Sequence, residues 1–148
     1  MKKFKFKLEA VLKLREAKEK KLKTELGEIV QEIQSVKERM QEIDNDVEFL
    51  YTAHEECLSS PSQGHMLKFY PEAVQGLKAD KESNKNLLAA LQRRYERKVH
   101  ELKLAMGETK VMNKMKEKEH TLYKKEVLKK EQNTLEEILM MRTKEKAS

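Results

Sequence analysis

The feature that most constrains this chain is a series of apolar residues spaced alternately four and three residues apart. A repeat of 3.5 residues keeps one apolar stripe facing a partner helix, so it predicts a coiled coil. The same register extends back to Leu12 and Leu8, and forward to His54 and Cys57. The uninterrupted part of this first seam consists of Leu22, Leu26, Ile29, Ile33, Val36, Met40, Ile43, Val47 and Leu50.

The composition favours long helices over a globular domain. Charged residues make up 39% of the 148 residues and aromatic residues 5%, which is too polar for an ordinary closed core. Disorder is the alternative for so polar a chain, but a disordered segment would not show the regular spacing of apolar residues seen here. No apolar run approaches the roughly 18 residues of a membrane span. The single Cys57 permits no internal disulfide, so we expect a cytoplasmic protein that reaches the membrane only through partners.

One strong interruption divides the sequence, at Ser59-Ser60-Pro61-Ser62-Gln63-Gly64-His65. Pro, Gly and Ser together predict the end of a helix and a turn, and a short connection favours an antiparallel pair of helices. We therefore predict an all-α fold in which two long helices form an antiparallel coiled-coil hairpin. Its single domain, residues 1–148, would contain helix one at about 5–58, a loop at about 59–69 and helix two at about 70–144.

The second helix has a more polar stripe than the first. With the turn centred near Gln63–Met66, Phe4 would lie opposite Lys125, and roughly the last 20 residues would overhang. After Met112 the apolar residues leave the regular spacing, which predicts a shifted or unpaired stretch. The predicted second seam is Val74, Leu77, Lys81, Asn84, Leu88, Leu91, Tyr95, Lys98, Leu102, Ala105, Thr109 and Met112.

The net charge of +6 is unevenly distributed. By count, residues 1–23 carry about +7 and residues 110–148 about +4, which leaves about −5 for the middle. An antiparallel hairpin would bring the two basic termini together, and their field would favour an acidic partner surface. On this charge alone, we predict contacts to an acidic partner at Lys5, Lys7, Lys13, Arg15, Lys124, Lys125, Lys129 and Lys130.

No catalytic or cofactor motif is present. The sequence has no Gly-rich phosphate loop and no nucleophile elbow, and two paired helices supply no pocket for acid–base catalysis. His54 and Cys57 are three residues apart and could form half of a metal site, but a structural zinc site needs four ligands. We therefore expect no enzyme activity, no metal and no cofactor. Direct nucleic-acid binding is also not expected, because no known module accompanies the basic termini.

Aromatic residues concentrate beside the predicted loop. Phe49, Tyr51, Phe69 and Tyr70 are half of the eight Phe and Tyr residues. One interpretation is a hydrophobic plug that closes the hairpin. The other is an exposed patch for a partner, since aromatic side chains often anchor interfaces. The sequence leaves both open.

Two segments resemble a known family. The opening Lys3-Phe4-Lys5-Phe6-Lys7-Leu8-Glu9-Ala10-Val11-Leu12-Lys13-Leu14-Arg15-Glu16 is similar to the start of FliJ proteins, often close to "F-x-F-x-L-x-x-V-L-x-x-R". The segment Lys130-Glu131-Gln132-Asn133-Thr134-Leu135-Glu136-Glu137-Ile138 resembles the usual ending, "R-x-E-Q-K-x-L-D-E". Length, basic charge and the two-helix layout match over the whole chain.

This resemblance implies a component of the flagellar type III export apparatus with a fold similar to the rotor stalk of F-type ATPases. The end bearing both termini would contact the hexameric export ATPase and promote its assembly. The protein would also bind the cytoplasmic domain of the export-gate protein FlhA and escort export chaperones. It would lie in the cytoplasm and reach the inner membrane through the export apparatus.

The resemblance also places a gate-binding surface on both helices near the loop, although Pro71 departs from the family pattern. The implied residues are Ile43, Val47, Leu50, Tyr51, Phe69, Tyr70, Val74 and Leu77. Two alternatives remain: a stalk protein of a virulence type III system, and a generic coiled-coil scaffold. A scaffold would form a parallel dimer of long helices with no preference for an ATPase.

Overall fold

The computed structural model describes residues 3–59 and 68–147. These residues form two helices, α1 (Glu9–Leu58) and α2 (Phe69–Ala147), and contain no strand. The prediction of an all-α chain with two long antiparallel helices is confirmed. The predicted turn centre at residues 63–66 lies outside the described residues. No helix in the described part of the chain has the length and apolar character that crossing a membrane requires.

α1 begins at Glu9, about four residues later than predicted. Residues 3–8, the N-terminal arm, have no helical structure, and the Glu9 amide donates a hydrogen bond to the Phe6 carbonyl (3.2 Å). In an extended segment alternate side chains share one side. The alternation of Phe with Lys therefore lets Phe4 and Phe6 pack inward while the lysines face solvent, which a helix would not allow.

The chain divides into two compact units. The terminal unit comprises Met1–Lys20 and Lys103–Ser148, and the central unit comprises Lys21–Leu102. Each contains a segment of both helices. The prediction of a single domain stays a prediction.

In the central unit the first seam is inward as predicted. Every residue of the seam from Leu22 to Leu50 is buried or half-buried, and Ile43 is fully inaccessible. Ion pairs between the helices show the antiparallel pairing, because residues farther along α1 pair with residues nearer the start of α2. They are Glu25–Lys98 (2.8 Å), Arg39–Asp80 (2.8 Å) and Asp44–Lys81 (2.5 Å). The exception to the predicted second seam is Tyr95, whose side chain is exposed.

In the terminal unit a small core forms around the arm. Phe6, Leu12 and Met112 are buried together, with Phe4 packed against them. Phe4 lies on His120 (ring centroids 4.8 Å apart) and Tyr123 (5.5 Å) rather than opposite Lys125.

Farther along the terminal unit, Ala105 and Thr109 are buried, and the Thr109 hydroxyl donates to the Ala105 carbonyl (3.0 Å). Lys116 pairs with Glu9 (2.9 Å). Leu8, predicted in the first seam, is exposed and lies just before the start of α1.

Candidate protein-interaction surfaces

The two units differ in charge. By sequence count, the terminal unit has twenty Lys and Arg against eleven acidic residues, a net charge of +9. The central unit has twelve against fifteen, a net charge of −3. The predicted basic region therefore belongs to a unit with a large positive excess, whose field attracts acidic surfaces.

Seven of the eight predicted basic contact residues have exposed side chains and form no ion pair within the described residues. They constitute the basic surface: Lys5, Lys7, Lys13, Lys124, Lys125, Lys129 and Lys130. Arg15 differs from them. Its guanidinium pairs with Glu108, and its Nε is buried without a hydrogen-bond acceptor. Arg15 thus joins α1 to α2 inside the terminal unit, and its charge is partly neutralised there.

The last part of α2 is uncovered. Every residue from 128 to 147 is helical and exposed. The apolar side chains of a helix are buried only when another element packs against them, and α1 does not cover this segment. The irregular spacing after Met112 predicted weak pairing here but did not identify a surface. The large apolar side chains exposed on this uncovered segment are Leu128, Leu135, Ile138, Leu139, Met140 and Met141.

The central unit carries an aromatic groove of about 250 Å³ next to the predicted loop. The His54 ring lies edge-on to Tyr70, with centroids 5.5 Å apart. Phe49, Tyr51 and Phe69 are exposed nearby, at 72%, 49% and 65%. The groove is lined by Leu50, Tyr51, His54, Tyr70, Pro71, Val74 and Gln75.

The structure divides the eight residues of the predicted gate-binding surface into three groups. Tyr51 and Phe69 are exposed, while Val47, Leu50, Tyr70 and Leu77 are half-buried. Ile43 and Val74 are core residues, and the expectation that they belong to a partner-binding surface stays a prediction. They occupy seam positions of α1 and α2, where the opposing helix covers them. The exposed aromatic patch is accordingly smaller and lies closer to the loop.

Four residues of this region were not predicted as site residues. Phe49 is one of the most exposed apolar side chains, and His54, Pro71 and Gln75 line the groove. The aromatic clustering pointed to Phe49. The position of His54 in the first seam register pointed to a neighbour on α2, but only the pairing of the helices identifies that neighbour as Tyr70.

The polar positions of the second seam are stabilised by charge pairing. Lys98 donates to Glu25 (2.8 Å) and Glu101 (3.3 Å). The hydrogen bond from Lys98 lowers the pKa of the Glu25 carboxyl, and the same bond raises the pKa of Lys98. Asp80 similarly raises the pKa of Arg39 through a hydrogen bond. Glu25 and Lys98 therefore both stay charged over a wide pH range.

Within the described residues no group of three or more His, Cys, Asp and Glu could hold a metal ion. Of the predicted His54–Cys57 pair, the His54 ring contacts Tyr70 and the Cys57 thiol is buried and forms no disulfide.

Fold and surfaces place this molecule among the all-α coiled-coil proteins built from two long helices. A family model described as "FliJ: Flagellar FliJ protein" matches residues 4–148, essentially the whole chain. The chain belongs to the FliJ family, and is thereby a coiled-coil protein related to flagellar type III export. This family is a structural component of the export apparatus and is not known as an enzyme. No curated protein and no solved structure matches the chain significantly.

Proposed function

We propose that this protein is a stalk that binds the hexameric flagellar export ATPase through its terminal unit, promotes assembly of the ring and couples it to the export gate. The observation that carries the proposal is the contrast between the units. The terminal unit has a net charge of +9, an exposed basic surface and an uncovered helical segment at residues 128–147. These features suit an acidic protein surface that can also cover apolar side chains.

The proposed binding to the ATPase is tested with the purified export ATPase. Adding the protein should increase hexamer formation, measured by analytical ultracentrifugation, and raise the rate of ATP hydrolysis. Reversing the charge at Lys124, Lys125, Lys129 and Lys130 to Glu should weaken both effects most strongly at low salt, because screening reduces the contribution of exposed charges.

A matched control uses lysines of the central unit. Lys37→Glu with Lys78→Glu changes charge on exposed positions away from the basic surface and should leave ATPase stimulation unchanged. An ATPase that neither binds nor responds to the unmodified protein would contradict the proposed function.

For the gate, we propose that the aromatic groove and the exposed rings beside it bind the cytoplasmic domain of FlhA. The support is the exposure of Tyr51 and Phe69 around a preformed groove, since buried aromatics close a hairpin whereas exposed ones anchor interfaces. This favours the patch over the plug for these two rings. Escort of export chaperones, cytoplasmic location and attachment to the inner membrane through the export apparatus remain part of the same proposal.

The proposed binding to FlhA is tested by paired substitutions. Phe69→Ala with Tyr70→Ala should weaken FlhA binding, measured by calorimetry, while far-ultraviolet circular dichroism shows unchanged helicity. Tyr51→Ala with Phe69→Ala is the cleaner pair, because both side chains are exposed. Loss of helicity in this second pair would support the plug.

The generic scaffold is less well supported than the stalk. Both units pair α1 with α2 of the same chain, whereas a parallel dimer requires each helix to pair with a second copy. The flagellar rather than virulence assignment is supported by the family match over residues 4–148.

A further inference from the structure

A second apolar stripe runs along α2 in the terminal unit, separate from the seam that faces α1. Its residues follow one another by seven, four and seven positions, which places them on one face of the helix. They are exposed by 40% to 59%, so α1 does not cover them. The stripe consists of Leu104, Val111, Met115 and Leu122.

Leu104 directly precedes the seam residue Ala105, and Val111 directly precedes the seam residue Met112. Because successive residues of an α-helix are about 100° apart, the stripe lies about 100° around α2 from the seam. The central unit offers a contrast. Away from the loop its exposed large apolar side chains in the described residues are Val30, Leu87 and Tyr95, and these do not form a stripe along one helix.

Charges border the stripe in a regular way. A lysine follows three of the stripe residues by three positions: Lys114, Lys118 and Lys125 are exposed and form no ion pair within the described residues. A glutamate follows three of them by four positions, on the edge nearer α1, at Glu108, Glu119 and Glu126. Arg15 neutralises the first of these glutamates.

The N-terminal arm adds positive charge at one end of the stripe. Leu122 borders an open groove of about 1040 Å³, which Lys3, Lys5, Lys7 and Phe4 also line. The arm thus places three lysines beside Glu119 and Glu126, which line the same groove. The outer edge and this end of the stripe therefore both attract negative charge.

We propose that this stripe is a third-helix site, which binds an amphipathic helix of a partner protein whose apolar residues repeat every 3.5 residues and whose outer edge is acidic. The spacing of the stripe matches helix–helix packing, and the free lysines select an acidic edge. A second copy of this chain is a poor occupant because terminal units with a charge of +9 repel each other. An anionic lipid surface is disfavoured by the glutamates on the other edge. The site shares Lys125 with the basic surface, but its apolar residues and the flanking Lys114 and Lys118 lie outside that surface.

The test uses the full-length protein and two synthetic helical peptides of about 25 residues. Both carry Leu at the apolar heptad positions and Gln on one edge; one carries Glu on the other edge and the second carries Lys. Fluorescence anisotropy should show that the Glu-edged peptide binds, and that the Lys-edged peptide binds at least about tenfold more weakly. Absence of binding by the Glu-edged peptide, or equal binding of both peptides, would overturn the proposal.

Substitutions locate the binding site. Val111→Gln with Met115→Gln should weaken binding of the Glu-edged peptide by about tenfold or more, because two apolar contacts are lost. Val30→Gln with Leu87→Gln, the matched exposed pair in the central unit, should leave it unchanged. Lys114→Glu with Lys118→Glu should reverse the preference in favour of the Lys-edged peptide. Equal loss in the control pair, or an unchanged preference after charge reversal, would contradict the site.

Two further outcomes assign the stripe to another occupant. A dimer in analytical ultracentrifugation that Val111→Gln with Met115→Gln dissociates would identify a second copy. Cosedimentation with vesicles of phosphatidylcholine and phosphatidylserine, lost in the same variant, would identify a lipid surface. Either result would overturn the proposal, and circular dichroism confirms that these exposed substitutions leave the helices intact.

Discussion

The terminal unit and the central unit contain segments of the same two helices, yet they expose different surfaces. The central unit has a net charge of −3, a regular apolar seam and an aromatic groove. The terminal unit has a net charge of +9, a core completed by an extended arm, and a helical segment from residue 128 that nothing in the described chain covers. A single coiled-coil pattern can thus support two chemically distinct surfaces when charge and apolar excess are distributed unevenly.

The largest effect is expected in the core of the central unit. Ile43 is fully buried at a seam position, so Ile43→Ala should lower the free energy of unfolding by about 2–4 kcal/mol through lost burial and a residual cavity. Urea unfolding followed by circular dichroism measures this. Leu87→Ala on the exposed side of α2 is the control and should stay within about 0.5 kcal/mol. Similar effects of both changes would show that the seam does not carry the stability of this unit.

A smaller effect is expected from the arm of the terminal unit. Phe6 is buried against Leu12 and Met112, and Phe6→Ala should destabilise arm docking by about 2 kcal/mol. Trypsin should then cleave after Lys5 and Lys7 at least about tenfold faster, since cleavage follows the open population.

Leu14→Ala, at a side chain that is 73% exposed, should not change that cleavage rate. If Phe6→Ala left the rate unchanged as well, the arm would contribute nothing to the terminal core.

A pH-dependent effect should appear in the central unit. Because Lys98 lowers the pKa of Glu25, the pair stabilises the folded state fully above the unfolded value of 4.5, and this contribution is lost as the pH falls through the lower folded value. Glu25→Gln should therefore lose less stability than the unmodified protein as the pH falls below about 4.5. Thermal unfolding midpoints from pH about 7 to about 3 measure the difference.

Glu28→Gln provides the matched control, because Glu28 is exposed and forms no ion pair within the described residues. The acid sensitivity of this variant should equal that of the unmodified protein. If the unfolding midpoints of Glu25→Gln and of the unmodified protein fell in parallel as the pH is lowered, the pairing with Lys98 would add no stability.

The smallest effect is expected in the uncovered segment. Leu128→Gln, Leu135→Gln and Leu139→Gln together should change the free energy of unfolding by less than about 0.5 kcal/mol, because these side chains are already exposed. Urea unfolding followed by circular dichroism provides the measurement. A larger loss would indicate that this segment is covered in solution, which would narrow the contrast between the two units.

Much of this architecture was determined by the sequence itself. The spacing from Leu22 to Leu50 determined that α1 buries one stripe, because a 3.5-residue period permits only one continuous face toward a partner. The basic residues near both termini likewise determined the excess charge of the terminal unit. The family resemblance in the opening residues agrees with the match over residues 4–148.

Pairing of the helices decided which side chains are buried and which residues they contact, which the spacing of apolar residues left open. It buried Ile43 and Val74, which the resemblance had placed on a surface, and it placed Tyr70 against His54. It also decided that Arg15 is occupied by Glu108. Local patterns specify which face of a helix is apolar, but the exposure and charge state of a side chain depend on residues distant in sequence, and only the tertiary structure brings those together.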